Sequence, residues 1–124
     1  MGSFFTDVLS FDHEVAVFDV KPESLRFMYN CRRFTGLDEI EEFRPELVIN
    51  AATVKYTLDA FNQVLPFLPK DCILSDIASV KTGLKEFYEN SGFRYVSTHP
   101  MFGPTFVNLD QLSTENAIII KEGD

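Results

Sequence analysis

The distribution of apolar and polar positions along the chain predicts short buried strands that alternate with amphipathic helices. Continuous apolar runs bounded by charged or turn residues are typical of strands buried on both faces of a parallel sheet. Such runs occupy residues 14–19, 47–52, 72–74, 95–98 and 116–120. Apolar residues at helical spacing lie between them, in segments 4–9, 23–30, 38–43, 55–68 and 80–90. We therefore predict an α/β fold with a doubly wound, mostly parallel sheet.

Polar residues collect at the ends of two predicted strands in the segment 75–104. The strand at 72–74, the helix at 80–90 and the strand at 95–98 make one crossover unit, so the two strands should run parallel. Their carboxyl ends then lie side by side, which is where open α/β sheets bind ligands. The polar residues at this edge are Asp76, Ser79, Lys81, Thr98 and His99. We place the candidate site there.

Two of these residues have local chemistry that allows more than one role. Pro100 restricts His99 to extended backbone, and an imidazole with a pKa near ~6.5 can accept a proton at neutral pH. His99 could equally be structural, with its ring bonded to the backbone. Ser79 precedes the predicted helix and could cap it, while Lys81 is predicted to be a residue of the helix start. Local chemistry leaves these alternatives open.

The amino-terminal segment matches part of a dinucleotide-binding βαβ unit. In that unit a helix begins at the third glycine of G-x-G-x-x-G, and an acid about 20 residues further on binds the ribose hydroxyls. Gly2 matches the third glycine and Asp19 matches the acid. Asp19 favours NAD over NADP, a preference that Lys21 weakens; alternatively, Asp19 caps a helix that Pro22 begins. The fold is thus predicted to be Rossmann-like, with its first strand and first two glycines missing from this chain.

The missing strand would be central in a sheet of strand order 3-2-1-4-5-6. Without it, the strands at 14–19 and 47–52 would lack their shared partner and would expose unpaired backbone. We therefore expect the chain by itself to be marginally stable, or to be completed by another copy.

Two motifs resemble the prephenate/arogenate dehydrogenase family. They are Asp-Ile-Ala-Ser-Val-Lys, from Asp76 to Lys81, and His-Pro-Met-Phe-Gly, from His99 to Gly103. The resemblance extends over nearly the whole chain. Enzymes of this family oxidise and decarboxylate prephenate or arogenate with a nicotinamide cofactor; from prephenate they make 4-hydroxyphenylpyruvate, a precursor of tyrosine. The resemblance implies that His99 is the catalytic histidine, bonded to the ring hydroxyl of the substrate, and that Ser79 orients the histidine, the substrate and the nicotinamide.

The resemblance also implies a cofactor site and a cofactor. The loop that follows the strand at 47–52 passes beneath the dinucleotide in this family. Many relatives carry proline at the second place of that loop, so the pair Thr53-Val54 departs from the commonest pattern. The expected cofactor is NAD, and no metal is needed because loss of carbon dioxide makes the ring aromatic. The predicted cofactor-binding residues are Gly2, Asp19, Ala52, Thr53, Val54 and Asp76.

The domain organisation and the alternatives follow from the same resemblance. Residues 1–124 are predicted to be a partial NAD-binding domain, whereas family members continue into a helical domain that forms a homodimer and supplies an arginine for the substrate carboxylate. One alternative is the 3-hydroxyacid dehydrogenase group, which shares the nucleotide-binding half but uses a later lysine and lacks the His-Pro-Met motif. Arogenate dehydrogenase is another. A third is an inactive fragment or a non-catalytic nucleotide-binding module.

Composition excludes several other classes of protein. The net charge of −8 argues against a general affinity for nucleic acid or anionic membranes. No apolar run approaches the ~20 residues of a membrane span, and the start lacks the features of a signal peptide. Cys31 and Cys72 show no metal-ligand spacing and are predicted to be reduced thiols. We therefore expect a cytoplasmic protein that acts on a small-molecule substrate.

Overall fold

The computed structural model describes residues 2–21, 25, 31–100 and 117–119. Within them, helices and strands alternate as predicted. The helices are α1 (Gly2–Leu9), α2 (Asp38–Phe43), α3 (Thr57–Val64) and α4 (Leu84–Ser91). The strands are β1 (Ala16–Val17), β2 (Arg32–Arg33), β3 (Leu47–Asn50), β4 (Ile73–Asp76), β5 (Arg94–Pro100) and β6 (Ala117–Ile119). Short 3₁₀ helices at Val54–Tyr56 and Leu65–Phe67 flank α3.

The strands pair into two sheets. β1 and β2 form a parallel pair, and β3-β4-β5-β6 form a four-stranded sheet in that order. The β3, β4 and β5 strands are parallel, which confirms the crossover unit, and β6 is antiparallel to β5. In the part of the chain that the structure describes, β1 and β3 have different partners.

The register of the parallel strands aligns their carboxyl ends. Asn50 at the end of β3 pairs with Asp76 at the end of β4, and Asp76 pairs with Ser97 of β5. All three side chains are buried. Buried polar groups are normally hydrogen-bonded; Asn50 and Asp76 bond to the loops that follow β3 and β4, whereas Ser97 Oγ has no partner among the described residues.

An aromatic core holds helices α3 and α4 against the sheet. Phe61 of α3, Leu74 of β4 and Tyr88 of α4 are almost completely buried. The ring of Phe61 stacks on Phe87 with centroids 5.1 Å apart, and Tyr88 stacks on Tyr95 at 4.3 Å. Tyr88 thus joins the core of the domain to the sheet.

The helix predicted at 80–90 begins later than expected. Gly83 adopts a φ of 78°, in the left-handed region, and α4 starts at Leu84. Val80 is therefore 51% exposed instead of lying on the apolar face. Because residues 79–83 precede the helix, the alternative that Ser79 caps a helix starting at Val80 does not hold, and the prediction that Lys81 is a helix-start residue was wrong.

Other boundaries differ from the predictions in smaller ways. β5 continues to Pro100 because its last three residues pair with β6, so Thr98 and His99 lie within the strand. The predicted strand at 14–19 is reduced to β1, whereas the acidic helix at 38–43 is confirmed. The predicted helix at 23–30 lies outside the described residues except for Leu25. No helix in the described ranges has the length and apolar character to cross a bilayer.

Candidate active site

The carboxylate of Asp76 is the best-anchored group at the carboxyl edge of the sheet. It is fully buried. Its Oδ2 accepts hydrogen bonds from the backbone N–H of Ala78 at 3.0 Å and from Lys81 Nζ at 2.5 Å. Its Oδ1 accepts the hydroxyl hydrogen of Tyr88 at 2.6 Å. A buried carboxylate requires a cation and several donors, and Asp76 has both.

Lys81 also ties two strands together. Its Nζ donates to the backbone oxygen of Thr98 at 2.6 Å, and the Thr98 hydroxyl donates to the backbone oxygen of Asp76 at 3.0 Å. We call Asp76, Lys81 and Thr98 the strand-end clamp, since they join the last residue of β4 to the end of β5. The residue that follows the clamp in β5 is His99.

His99 lies half-buried near the end of β5. It is in register with Ile118 of β6, and the strand is extended there, as the following proline predicts. None of the described residues forms a hydrogen bond with its imidazole. Ser79 is exposed in the loop after β4. The structure thus places His99 and Ser79 at the carboxyl ends of neighbouring strands, while their catalytic roles stay predictions.

The loop after β3 is held over the sheet by two buried polar residues. Asn50 accepts a hydrogen bond from the N–H of Ala52 at 3.1 Å and donates to the backbone oxygen of Thr57 at 2.8 Å. The Thr57 hydroxyl donates to the Thr53 oxygen at 3.1 Å. Thr53 and Val54 are left exposed at the sheet edge. The predicted loop therefore leaves Thr53 and Val54 exposed where the cofactor is expected.

Gly2 lies close to the same edge. A Cβ atom at Gly2 would come within 3.3 Å of the Ala51 Cβ, a tight contact that glycine avoids. Helix α1 therefore begins close to the residue that follows β3, and the role of Gly2 as the third glycine of a dinucleotide-binding motif stays a prediction. Asp19 is half-buried just after β1, and its Oδ1 accepts the N–H of Lys21 at 2.8 Å. Its alternative role as a helix cap involves residues outside the described ranges.

Sequence reasoning missed the partners that build this edge. Lys81 was predicted to start a helix but pairs with Asp76, and Tyr88 was predicted only as an apolar-face residue. The available signal was an aspartate at the end of a buried strand, which needs a cation within reach. Asp76 itself was predicted to contact the cofactor; its carboxylate oxygens are engaged inside the protein, and the contact stays a prediction.

Burial raises the pKa of two side chains, Tyr88 beside the site and Cys72 just before the start of β4. Desolvation, together with the hydrogen bond to Asp76 and the charge of that carboxylate, raises the pKa of the Tyr88 hydroxyl far above its usual range, so the group remains a donor. Desolvation raises the pKa of the Cys72 thiol to about 11. Among the described residues, no three His, Cys, Asp or Glu side chains gather where they could hold a metal ion.

The chain has a parallel sheet, a helix that begins at a glycine, and polar loops at the carboxyl edge of the sheet. These features define a nucleotide-binding α/β domain of the Rossmann class. The family model described as the nucleotide-binding domain of prephenate dehydrogenase matches residues 4–117. The chain belongs to this family. The match confirms the predicted family and a nucleotide-binding fold, as the expected cofactor requires.

Individual relatives agree with the family match. A Methanocaldococcus jannaschii protein described as a probable arogenate/prephenate dehydrogenase is 33% identical over 67 residues, which are 52% of this chain and 15% of that protein. The structure of Aquifex aeolicus prephenate dehydrogenase with hydroxyphenyl propionate and NAD⁺ superposes with a TM-score of 0.76 at 23% identity, over 99% of this chain and 48% of that one. An imine reductase from Bacillus cereus gives a TM-score of 0.71 at 19% identity, over 88% and 40%.

The structural similarities show the fold alone, because identity is low and the fold also occurs in an imine reductase. The chain spans about half the length of the Aquifex aeolicus enzyme, and its 67 aligned residues cover 15% of the curated relative. The activity of a whole enzyme is therefore taken up as a proposal.

Proposed function

We propose that the protein serves as the NAD-binding and proton-accepting part of a prephenate dehydrogenase, which converts prephenate into 4-hydroxyphenylpyruvate for tyrosine biosynthesis. The observation that carries the proposal is the half-buried His99 at the carboxyl end of β5, with no hydrogen bond to its ring from a described residue. Family membership supports the same assignment. A homodimer, implied by the family resemblance, and a cytoplasmic location, expected from the composition, belong to this proposal.

The residues around the carboxyl edge fit a dinucleotide. Gly2 lacks the Cβ that would crowd the start of α1, and the loop that carries Ala52 leaves Thr53 and Val54 exposed at the strand ends. Asp19 offers a carboxylate oxygen to ribose hydroxyls, which favours NAD. These residues would hold the cofactor, together with the predicted contact from Asp76. When bound, NAD accepts a hydride from the ring carbon that bears the hydroxyl.

Two side chains of this chain, His99 and Ser79, act on the ring hydroxyl of the substrate. An imidazole nitrogen of His99 takes the proton of the ring hydroxyl as the carbonyl forms. Ser79 hydrogen-bonds in the same pocket and orients the imidazole and the substrate. The ring carboxylate then leaves as carbon dioxide, its bonding electrons make the ring aromatic, and His99 returns the proton to the ring oxygen. The balance is one prephenate and one NAD⁺ consumed for one 4-hydroxyphenylpyruvate, one carbon dioxide and one NADH.

Substitution of His99 tests the proposal. We expect His99→Asn to lower kcat for prephenate oxidation by about 10²- to 10⁴-fold, the usual contribution of general acid–base catalysis. The NAD dissociation constant, measured by calorimetry, should not change. His13 is the other histidine of the sequence and is exposed, so His13→Asn is the matched control and should behave as wild type. A His99→Asn variant that turns over at the wild-type rate would contradict the proposal.

Arogenate is the second candidate substrate, because the Methanocaldococcus jannaschii relative is described with both names. Parallel assays with prephenate and arogenate decide between them by the ratio of kcat/KM. A non-catalytic nucleotide-binding module would instead bind NAD and form NADH from neither compound.

A further inference from the structure

We infer that Lys81 is a positioning residue for His99, a role that rests on the proposed function. Its ammonium group, held by the buried carboxylate of Asp76, binds the backbone oxygen of Thr98. That carbonyl belongs to the peptide group joining Thr98 to His99. The strand-end clamp therefore fixes the backbone from which the imidazole projects.

The strand register shows what the clamp adds on the β4 side of β5, whose other edge pairs with β6 at this point. Parallel pairing between β4 and β5 ends with Asp76 opposite Ser97. Thr98 lies one residue beyond the last paired position, so the β4 ladder does not continue to hold it. Lys81 donates to its backbone oxygen at 2.6 Å, and the Thr98 hydroxyl reaches back to the Asp76 oxygen at 3.0 Å. The clamp extends the connection between the strands as far as His99.

The ion pair between Lys81 and Asp76 fixes the position of the lysine ammonium group. Asp76 is fully buried, whereas the Lys81 side chain is 25% exposed. Tyr88 and the N–H of Ala78 hold the carboxylate from two other directions. The ammonium of Lys81 thus has a fixed anchor, and a buried ion pair contributes little net stability compared with apolar residues of similar volume. We therefore assign the Lys81–Asp76 pair a role in placing the backbone before His99 rather than in stabilising the fold.

Three lysine variants test the inference. Lys81→Met removes the charge and keeps most of the side-chain volume, Lys81→Arg keeps a cation, and Lys85→Met is the matched control on the exposed face of α4. We expect Lys81→Met to lower kcat by about tenfold to hundredfold, because small displacements of a reacting group cost this much. The value of kcat is measured at saturating NAD, because the NAD dissociation constant can rise through Asp76, the predicted cofactor contact that Lys81 holds. Lys81→Arg should recover most of the rate, and Lys85→Met should match wild type.

A double-mutant cycle separates positioning from general stability. In a His99→Asn background, Lys81→Met should change the residual rate by less than about twofold, because the residue that it positions is absent. The inference is overturned if Lys81→Met folds and keeps the wild-type kcat, or if it lowers the residual rate of His99→Asn by the same factor as in wild type.

NMR of the two histidine rings gives a readout that does not depend on activity. In Lys81→Met the ring signals of His99 should shift or broaden, while those of His13 should remain in place; unchanged His99 signals would overturn the inference. If His99→Asn keeps full activity, the proposed function fails, and the ring signals still test the geometry. If circular dichroism shows that Lys81→Met does not fold, Lys81→Gln, which keeps a neutral donor, replaces it in each comparison.

Discussion

The hydroxyl of Tyr88 donates to Asp76 Oδ1 at 2.6 Å, inside the core and opposite the side on which Lys81 binds Oδ2. This bond links helix α4 to the end of strand β4. It connects the buried aromatic core to the carboxyl edge of the sheet, where the candidate active site lies.

Removing the Tyr88 hydroxyl should destabilise the protein measurably. Tyr88→Phe leaves one buried oxygen of Asp76 without a donor, and a buried group left unsatisfied costs about 1–3 kcal/mol. The free energy of unfolding, measured with urea, should fall by that amount. Tyr95→Phe is the matched control, because Tyr95 shares the ring stack and its hydroxyl forms no hydrogen bond with a described residue. Equal losses in the two variants would contradict the role of the Tyr88–Asp76 bond.

Stability should decline in alkaline solution, in part through Tyr88. The folded-state pKa of this hydroxyl is raised above that of the unfolded chain, which is about 10. Its contribution is therefore complete below pH ~10 and is lost as the pH rises above that value, because the unfolded chain then releases the proton more readily. Unfolding free energies measured from pH 8 to 11 should fall less steeply for Tyr88→Phe than for wild type. Parallel slopes would count against the assignment.

Truncation of Phe61 should have a larger effect than truncation of any exposed ring. Phe61 is completely buried and stacks on Phe87, so Phe61→Ala should cost about 3–5 kcal/mol through lost burial and the cavity left behind. Phe11 is 74% exposed, and Phe11→Ala should change stability by about 0.5 kcal/mol or less. Urea unfolding of both variants checks the difference; similar midpoints would show that the core has been assigned incorrectly.

Cys72 should resist alkylation in the folded protein. Burial raises the pKa of its thiol to about 11, so at pH 8 the reactive thiolate is scarce and the sulfur is inaccessible. Iodoacetamide labelling followed by peptide mass spectrometry should show modification of Cys72 only after urea is added. Rapid labelling of Cys72 without denaturant would contradict its place in the core.

The elements that were predicted well from sequence are those whose apolar pattern is decided locally. The helix at 38–43 and the strand beginning at Leu47 show this, since their periodicity and flanking residues specify them without tertiary information. The start of α4 was missed because Val80 fits the helical pattern, whereas Gly83 and the Lys81–Asp76 pair hold the preceding residues in a loop. The ion pair, a tertiary contact, outweighs the local helical pattern of residues 80–83.

The candidate site was likewise predictable only in part. His99 and Ser79 were placed at the correct sheet edge, because topology alone brings the carboxyl ends of parallel strands together. The bond from Lys81 to the Thr98 oxygen was not predicted, since it depends on where the strand ladder ends. The register of a strand pair is a three-dimensional property that residue spacing does not encode.

Stoichiometry in a single reaction tests the central claim most directly. Purified protein would be incubated with NAD and prephenate labelled with ¹³C in the ring carboxylate, and NADH and ¹³C-labelled carbon dioxide would be measured in the same sample. The account predicts that both form together in a one-to-one ratio and that His99→Asn suppresses both. Formation of NADH without labelled carbon dioxide, or of neither product by protein that binds NAD, would contradict it.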